Sequence, residues 1–239
     1  VSSPPLLLLN GYAATQADWD PTFIAALSER STVLTPEHTA DSIEAMAAHA
    51  LAALDAEGIE RAAVAGWSMG GYVAQTLAAT APGRVSHLVL MSTDPGAESV
   101  PPPPDIWAAL TDRSGTPREQ ATRLIGLLFP PRVAKMIDQS FGEVVAEARA
   151  RLTPEWLDAQ ERAMVSWHRQ PGADRLAAIR APALIAWGDQ DAVIPPENSA
   201  VLARALPGAW VCPFAGGGHA FMAQEPDRLA ATINAFLGR

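Results

Sequence analysis

The chain has 239 residues, of which 49% are hydrophobic, and 26 acidic side chains against 17 basic ones give it a net charge of −9. That length suits a single large core, and the negative charge repels polyanions, so no nucleic-acid partner is expected. No apolar run approaches the roughly 18 residues that span a bilayer, and Leu6 to Leu9 is too short, and lacks the basic flank, for a secretory signal. A soluble cytoplasmic protein with no membrane partner is therefore expected, of undetermined oligomeric state, although a chain that begins at Val1 leaves a trimmed N-terminus open.

Short apolar runs alternate with helical patterns along the chain. Strands are expected at Leu6–Asn10, Thr32–Thr35, Ala62–Gly66, Val85–Met91, Ala183–Trp187 and Ala209–Pro213. Most lack polar alternation, as strands buried on both faces do, so the pattern implies βαβ units and a mostly parallel sheet flanked by helices. Between them, alanine-rich stretches favour helix. Asp41–Glu57 opens with Asp41, has Glu44 three residues on, and stops at Gly58, which reads as a capping box with a glycine terminator. Met69–Thr80 stops before Pro82-Gly83, Glu197–Leu206 runs between two proline-containing turns, and Pro226–Leu237 starts with proline in its first turn. Cys212, the single cysteine, lies in an apolar strand and is expected to be a buried core thiol.

The alternation breaks between Ala97 and Gly172. Pro101 to Pro104 forms a stiff segment, and helical patterns follow at Asp105–Thr111, Pro117–Leu128, Arg132–Ala150 and Pro154–His168. This reads as a helical insertion (97–172) within a core made of 1–96 and 173–239.

The strongest chemical signal is Gly66-Trp67-Ser68-Met69-Gly70-Gly71. G-x-S-x-G between a strand and a helix is the nucleophile elbow: a sharp turn lifts a serine hydroxyl above the sheet edge. Glycines at 66 and 70 allow backbones to pass where a Cβ would clash, and the helix N-terminus favours developing negative charge.

On these residues the chain resembles the α/β-hydrolase family over almost its whole length. The resemblance implies a Ser-His-Asp triad, with the acid after a later strand and the histidine last. Trp187-Gly188-Asp189-Gln190-Asp191-Ala192-Val193-Ile194-Pro195 is similar to the family's acid loop and points to Asp191, with Asp94 and Asp189 as rivals. Gly216-Gly217-Gly218-His219 points to His219 as the base, on a glycine run expected to be mobile. The oxyanion hole is expected from the backbone N–H groups of Met69 and Tyr12. Relatives usually carry His-Gly before that tyrosine position, where this chain has Asn10-Gly11, so Asn10 is expected to support the loop. Two further departures are that Thr35–Asp41 runs straight into a helix where relatives usually carry a glycine-rich G-x-G-x-S loop, so that either the loop is shortened or residues are absent from this sequence, and that the antiparallel strands that commonly open the fold are missing.

In the family such an insertion forms a helical cap over the nucleophile. Its large apolar residues include Trp107, Leu110, Ile125, Leu127, Leu128, Phe129, Met136, Phe141, Trp156, Met164 and Trp167; most should pack the cap down and a subset should line the pocket. Trp67, His38, Trp107 and Trp167 are the candidate substrate-binding residues. Arg113, Arg118 and Arg123 could clamp a carboxylate but suit solvated helix faces. The expected substrate is a small apolar acyl ester, lactone or thioester. Cofactor-free haloperoxidases (perhydrolases) and carbon–carbon bond hydrolases share the triad, and a ligand-binding protein on a hydrolase scaffold is the non-catalytic alternative. Ser68 disfavours enzymes with an aspartate nucleophile. No metal-ligand spacing and no dinucleotide G-x-G-x-x-G follows a strand, so neither metal nor cofactor is expected: activity should survive EDTA and exhaustive dialysis, and loss that an added metal ion restores would contradict this.

Overall fold

The computed structural model describes residues 3–38 and 40–238; Val1, and Thr39 in the loop expected at 35–41, lie outside them. Six parallel strands form one sheet: β1 (Leu6–Leu9), β2 (Val33–Leu34), β3 (Ala62–Trp67), β4 (Val85–Met91), β5 (Ala183–Gly188) and β6 (Trp210–Phe214), in the order β2-β1-β3-β4-β5-β6. From β1 the chain steps outward to β2 and then returns to the other side of β1 to lay down β3. The direction of winding reverses there, and a crevice opens at the carboxyl ends of β1 and β3. Leu9 pairs with Gly66 at that end of the ladder, so the loop after β1 and the turn after β3 emerge side by side.

Alternate residues of the strands feed two cores. Leu7, Leu9 and Val64 face one side with α2 (Ile43–Ala56), α3 (Met69–Thr80) and Leu202 of α9 (Glu197–Ala205). Leu6, Leu8 and Ala65 face the other with Phe23 and Leu27 of α1 (Pro21–Ser28) and Leu229, Ile233 and Phe236 of α11 (Pro226–Leu237). Uninterrupted apolar strands are what a sheet covered on both faces requires.

Between β4 and β5 the chain forms α4 (Pro104–Thr111), α5 (Pro117–Leu128), α6 (Pro131–Ala150) and α7 (Pro154–Trp167). Each begins with proline, whose missing N–H costs nothing in a first turn. Thr116 and Glu119 complete a capping box for α5, and Thr153 caps α7. A short α8 (Ala173–Ala178) leads into β5, and α10 (Phe221–Gln224) follows the last strand.

Several expectations need correction. The cap of α2 is Ser42, whose hydroxyl accepts from the Ala45 N–H at 3.2 Å, rather than Asp41; the glycine stop at Gly58 stands, with φ +66°. The helices α1, α8 and α10 were not expected. Cys212 is half-buried: it lies on the core-facing side of the edge strand β6 with Trp210 and Phe214 but packs only against the margin of that core. Met136 and Phe141 of α6 are exposed, at 61% and 58%, and take part in neither core.

Candidate active site

Ser68 stands between β3 and α3 with φ 55° and ψ −121°, a conformation that side chains other than glycine rarely adopt. Such strain persists only when the surroundings enforce it. Here they do: a Cβ on Gly66 would collide with the Gly70 carbonyl, and one on Gly70 would collide with the Leu9 carbonyl. The Ser68 carbonyl is held by the Thr93 hydroxyl at 2.8 Å and by the Gly71 N–H at 2.8 Å. The N–H of Met69, at the first helical position, has no partner within its own helix.

Asp191 and His219 form a buried pair. His219 Nδ1 lies 2.8 Å from Asp191 Oδ2 and 3.0 Å from Oδ1. The Val193 and Ile194 N–H groups each donate to Asp191 Oδ1 at 2.9 Å. The carboxylate is therefore oriented before it meets the ring, and the ring presents its other nitrogen away from the acid. Asp189 has a different place: its Oδ1 accepts from Gly216 N at 2.7 Å. Gln224 accepts from Gly218 N at 2.8 Å and donates to the Gly216 carbonyl at 3.0 Å. The glycine run before His219 is thus clamped from both sides rather than loose.

Trp67 donates its indole N–H to the His219 carbonyl at 2.9 Å, and its ring lies 5.4 Å from the imidazole. It supports the histidine loop and is not among the residues that line the cavity described below, although it was a candidate for binding substrate.

The loop after β1 reaches the serine through Gly11, where a Cβ would sit 3.1 Å from Ser68 Cβ. Ala13 takes a left-handed conformation (φ 56°) and donates its N–H to Gln160 Oε1 of α7 at 2.8 Å. The Tyr12 hydroxyl donates to Glu161 at 2.6 Å; burial, then this neighbouring carboxylate, pushes the phenol well above its ordinary pKa. Asn10 supports the loop through its carbonyl, which lies 3.1 Å from His38 Nε2, while its Nδ2 has no partner. His38 in turn accepts the Trp156 indole N–H on its carbonyl at 2.6 Å. His38 is therefore a buried strut under this loop and not a wall of the cavity.

Burial holds His38 neutral, lowering its pKa from 6.5 to about 4, against a smaller upward pull from the Asn10 carbonyl. A histidine depressed in the folded state contributes stability above its unfolded pKa, and this is lost as pH falls toward the folded one. From neutrality to pH 4.5, the wild type should lose roughly 2–3 kcal/mol more than His38→Gln. Denaturant melts of both proteins at the two pH values check this, and parallel losses would refute it.

A cavity of about 470 Å³ opens at Ser68, lined largely by apolar residues, among them Val100, Ile106, Trp107, Leu110, Met164 and Ile194. At its floor Asp94 accepts the Tyr72 hydroxyl at 2.6 Å, the Trp167 indole N–H at 3.1 Å and the Gly96 N–H at 2.9 Å. His168 Nε2 completes the set at 3.1 Å. Burial alone would lower the His168 pKa; the hydrogen bond and charge of Asp94, with the Met164 carbonyl, outweigh it and raise the pKa. Asp94 is saturated and pairs with His168 rather than His219. Trp167 is 1% exposed, stacked 4.6 Å from Tyr72 and covered by the Arg175 guanidinium at 3.6 Å. It stands behind the cavity wall, whereas Trp107 forms part of it. Arg113, Arg118 and Arg123 are each engaged by carboxylates of the insertion, and none lines this cavity.

The sheet, the strained elbow and the Asp–His pair at its rim define an α/β-hydrolase, and the chain belongs to that family: the family model for the alpha/beta hydrolase fold matches residues 4–226. Among curated proteins it is 30% identical to a putative carbamate hydrolase, RutD, of Azorhizobium caulinodans, over 98% of this chain and 91% of that one. It is 33% identical to a 2-hydroxymuconate semialdehyde hydrolase of Pseudomonas putida, over 79% of this chain and 66% of the relative. Among solved structures, the enol-lactonase of Burkholderia xenovorans superposes with a TM-score of 0.80 at 22% identity, covering 100% of this chain and 93% of that one. A meta-cleavage product hydrolase of Pseudomonas fluorescens gives 0.83 at 20% identity, covering 99% and 91%; at such identity these structures speak for the fold alone. Among the described residues no helix is long and apolar enough to cross a membrane.

Proposed function

We propose that the protein cleaves a carboxylic ester, lactone or thioester through an acyl-enzyme on Ser68, with His219 as general base and acid and Asp191 as its orienting carboxylate. The observation that carries this reading is the combination of a strained serine lining an apolar cavity with a buried Asp191–His219 pair at 2.8 Å in the loops that follow β5 and β6. Ser68 Oγ attacks the carbonyl carbon as its proton passes to His219 Nε2, and the carbonyl electron pair moves onto oxygen. The N–H groups of Met69 and Tyr12 hold that oxyanion. Collapse restores the carbonyl and expels the leaving oxygen or sulfur, which takes the proton from His219. Water then repeats the sequence on the acyl-enzyme, releasing the acid and regenerating Ser68. The helices α4–α7 act as the cap, closing the cavity over the acyl chain and excluding bulk water.

A second reading is hydrolysis of a carbon–carbon bond next to a ketone on the same residues, favoured by the 33% identity to the 2-hydroxymuconate semialdehyde hydrolase. The test is a screen of p-nitrophenyl esters of rising acyl length, lactones and a dienol ketone, with and without peroxide. Ester or lactone turnover that vanishes in Ser68→Ala supports the first reading. Turnover confined to the ketone selects the second, dependence on peroxide selects perhydrolysis, and tight binding without any turnover would make the protein a binder.

A further inference from the structure

Helix α7 of the insertion reaches down to the loop after β1, and three of its side chains hold that loop. Gln160 Oε1 accepts the Ala13 N–H at 2.8 Å, and Glu161 accepts the Tyr12 hydroxyl at 2.6 Å. The Trp156 indole N–H donates at 2.6 Å to the carbonyl of His38, whose ring meets the Asn10 carbonyl. Trp156 and Gln160 are four residues apart and so share one face of α7. Of the three, only Gln160 bonds directly to the backbone of the loop.

The place of that bond decides what it does. On one side of Tyr12, Gly11 is seated against Ser68 and the Trp67 ring, each 3.1 Å from where its Cβ would stand. On the other side, Gln160 holds the peptide unit that joins Tyr12 to Ala13. The Tyr12 N–H lies between these two fixed points. Ala13 has φ 56°, a left-handed conformation that is costly for a residue with a Cβ and persists only where its surroundings enforce it. Among the described residues the Gln160 amide is the partner of the Ala13 N–H. Packing does not account for a glutamine here. Gln160 is 0% exposed, and its Nε2 has no hydrogen-bond partner. The Ala13 N–H can only donate, so it selects the amide oxygen and leaves the amide nitrogen idle. A buried amide with an idle donor is less stable than an apolar side chain of similar shape. What glutamine supplies, and leucine cannot, is the acceptor.

We propose that Gln160 is a positioning residue for the oxyanion hole: by holding Ala13 it keeps the Tyr12 N–H aimed at the oxyanion, so the insertion acts on kcat as well as covering the cavity. The inference rests on Ser68 being the nucleophile. It also joins two parts of the site, because α7 gives Met164, Val165 and His168 to the cavity wall. The acyl chain and the oxyanion loop therefore meet on one helix.

The test compares Gln160→Leu with Leu157→Ala, a buried neighbour on α7 that packs in the core and makes no bond to the loop. Steady-state rates on p-nitrophenyl hexanoate are measured together with inhibition by 1,1,1-trifluorooctan-2-one and octan-2-one. The trifluoro ketone takes Ser68 Oγ on its carbonyl carbon, the serine proton passes to His219, and the carbonyl pair becomes an alkoxide in the oxyanion hole; octan-2-one has nearly the same shape without that adduct. Gln160→Leu should lower kcat on the order of 10–100-fold, somewhat less than outright removal of an oxyanion donor. Acylation and deacylation both pass through the oxyanion and slow together, so KM should stay within about threefold. Affinity for the trifluoro ketone should fall by the same factor as kcat, and affinity for octan-2-one should not change. Gln160→Met, with only a weak acceptor, should behave alike. Leu157→Ala should lower the melting midpoint by more than Gln160→Leu while keeping kcat within about threefold. Unchanged kcat in Gln160→Leu, equal losses for both ketones, or the same selective loss in Leu157→Ala overturns the role of Gln160. Trifluoro ketone affinity that is equal in the wild type and Ser68→Ala would instead overturn the nucleophile assignment, and this inference with it.

Discussion

Ser68→Ala and His219→Ala should each lower kcat on the order of 10⁶-fold, the loss typical when either member of a serine triad is removed. Without Oγ there is no acyl-enzyme, and without the imidazole the hydroxyl is not a nucleophile at neutral pH. Asp191→Asn should cost about 10⁴-fold. The amide can donate where the carboxylate only accepts, so it favours the wrong histidine tautomer. It also turns an oriented acceptor of the Val193 and Ile194 N–H groups into an ambiguous one. The contrast is Asp94→Asn. Asp94 already receives Tyr72, Trp167, Gly96 and His168, so its replacement should lower the unfolding midpoint while leaving kcat within about tenfold, well short of the loss expected for a triad acid. Steady-state rates on one ester, with thermal melts of the same preparations, give both readouts. Collapse in Asp94→Asn with near wild-type rates in Asp191→Asn would reverse the assignment.

The parts of the molecule legible in the sequence are those fixed by local patterns. The six strands are short apolar runs between turn residues, and each observed limit lies within one residue of the expected one. Glycines 66 and 70 mark the elbow because no other residue fits where the α3 backbone touches that of β3, at Gly66, and that of β1, at Gly70. The helices of the insertion announce themselves by a proline in each first turn. The short helix α1 escaped the sequence reading although Asp20 caps it and Pro21 begins it, because its eight residues carry a weak periodic signal. What could not be read is long-range and polar. Gln160 is remote in sequence from the Ala13 N–H it holds, as Gln224 gives no local sign that it clamps the histidine loop. Trp67 looks like a pocket residue from its place in the elbow, yet β-strand alternation turns it toward His219. Arg149 resembles any arginine of an amphipathic helix. Only packing reveals that it is buried and that the three arginines weighed as carboxylate clamps are already paired.

The two cap tryptophans expected in the pocket should now behave differently. Trp107 lines the cavity beside Leu110 and Met164. Each methylene moved from water into such a wall contributes about 0.8 kcal/mol, nearly fourfold in binding. If that gain is expressed in the transition state, kcat/KM in the wild type rises along a short acyl series and falls once the cavity is full. Trp107→Ala enlarges the cavity, so its optimum should move to longer chains. Trp167 is stacked on Tyr72, carries the Arg175 guanidinium on its other side and donates to Asp94. Its removal would leave Asp94 short of a donor and uncover a guanidinium whose pKa burial has already lowered to about 10. Trp167→Ala should therefore cost roughly 3–5 kcal/mol of stability with the preferred acyl length unchanged. Acyl-length profiles and unfolding midpoints measured on both variants separate the roles. A shifted optimum in Trp167→Ala would return that residue to the cavity wall, and a flat wild-type profile would reject an apolar acyl site altogether.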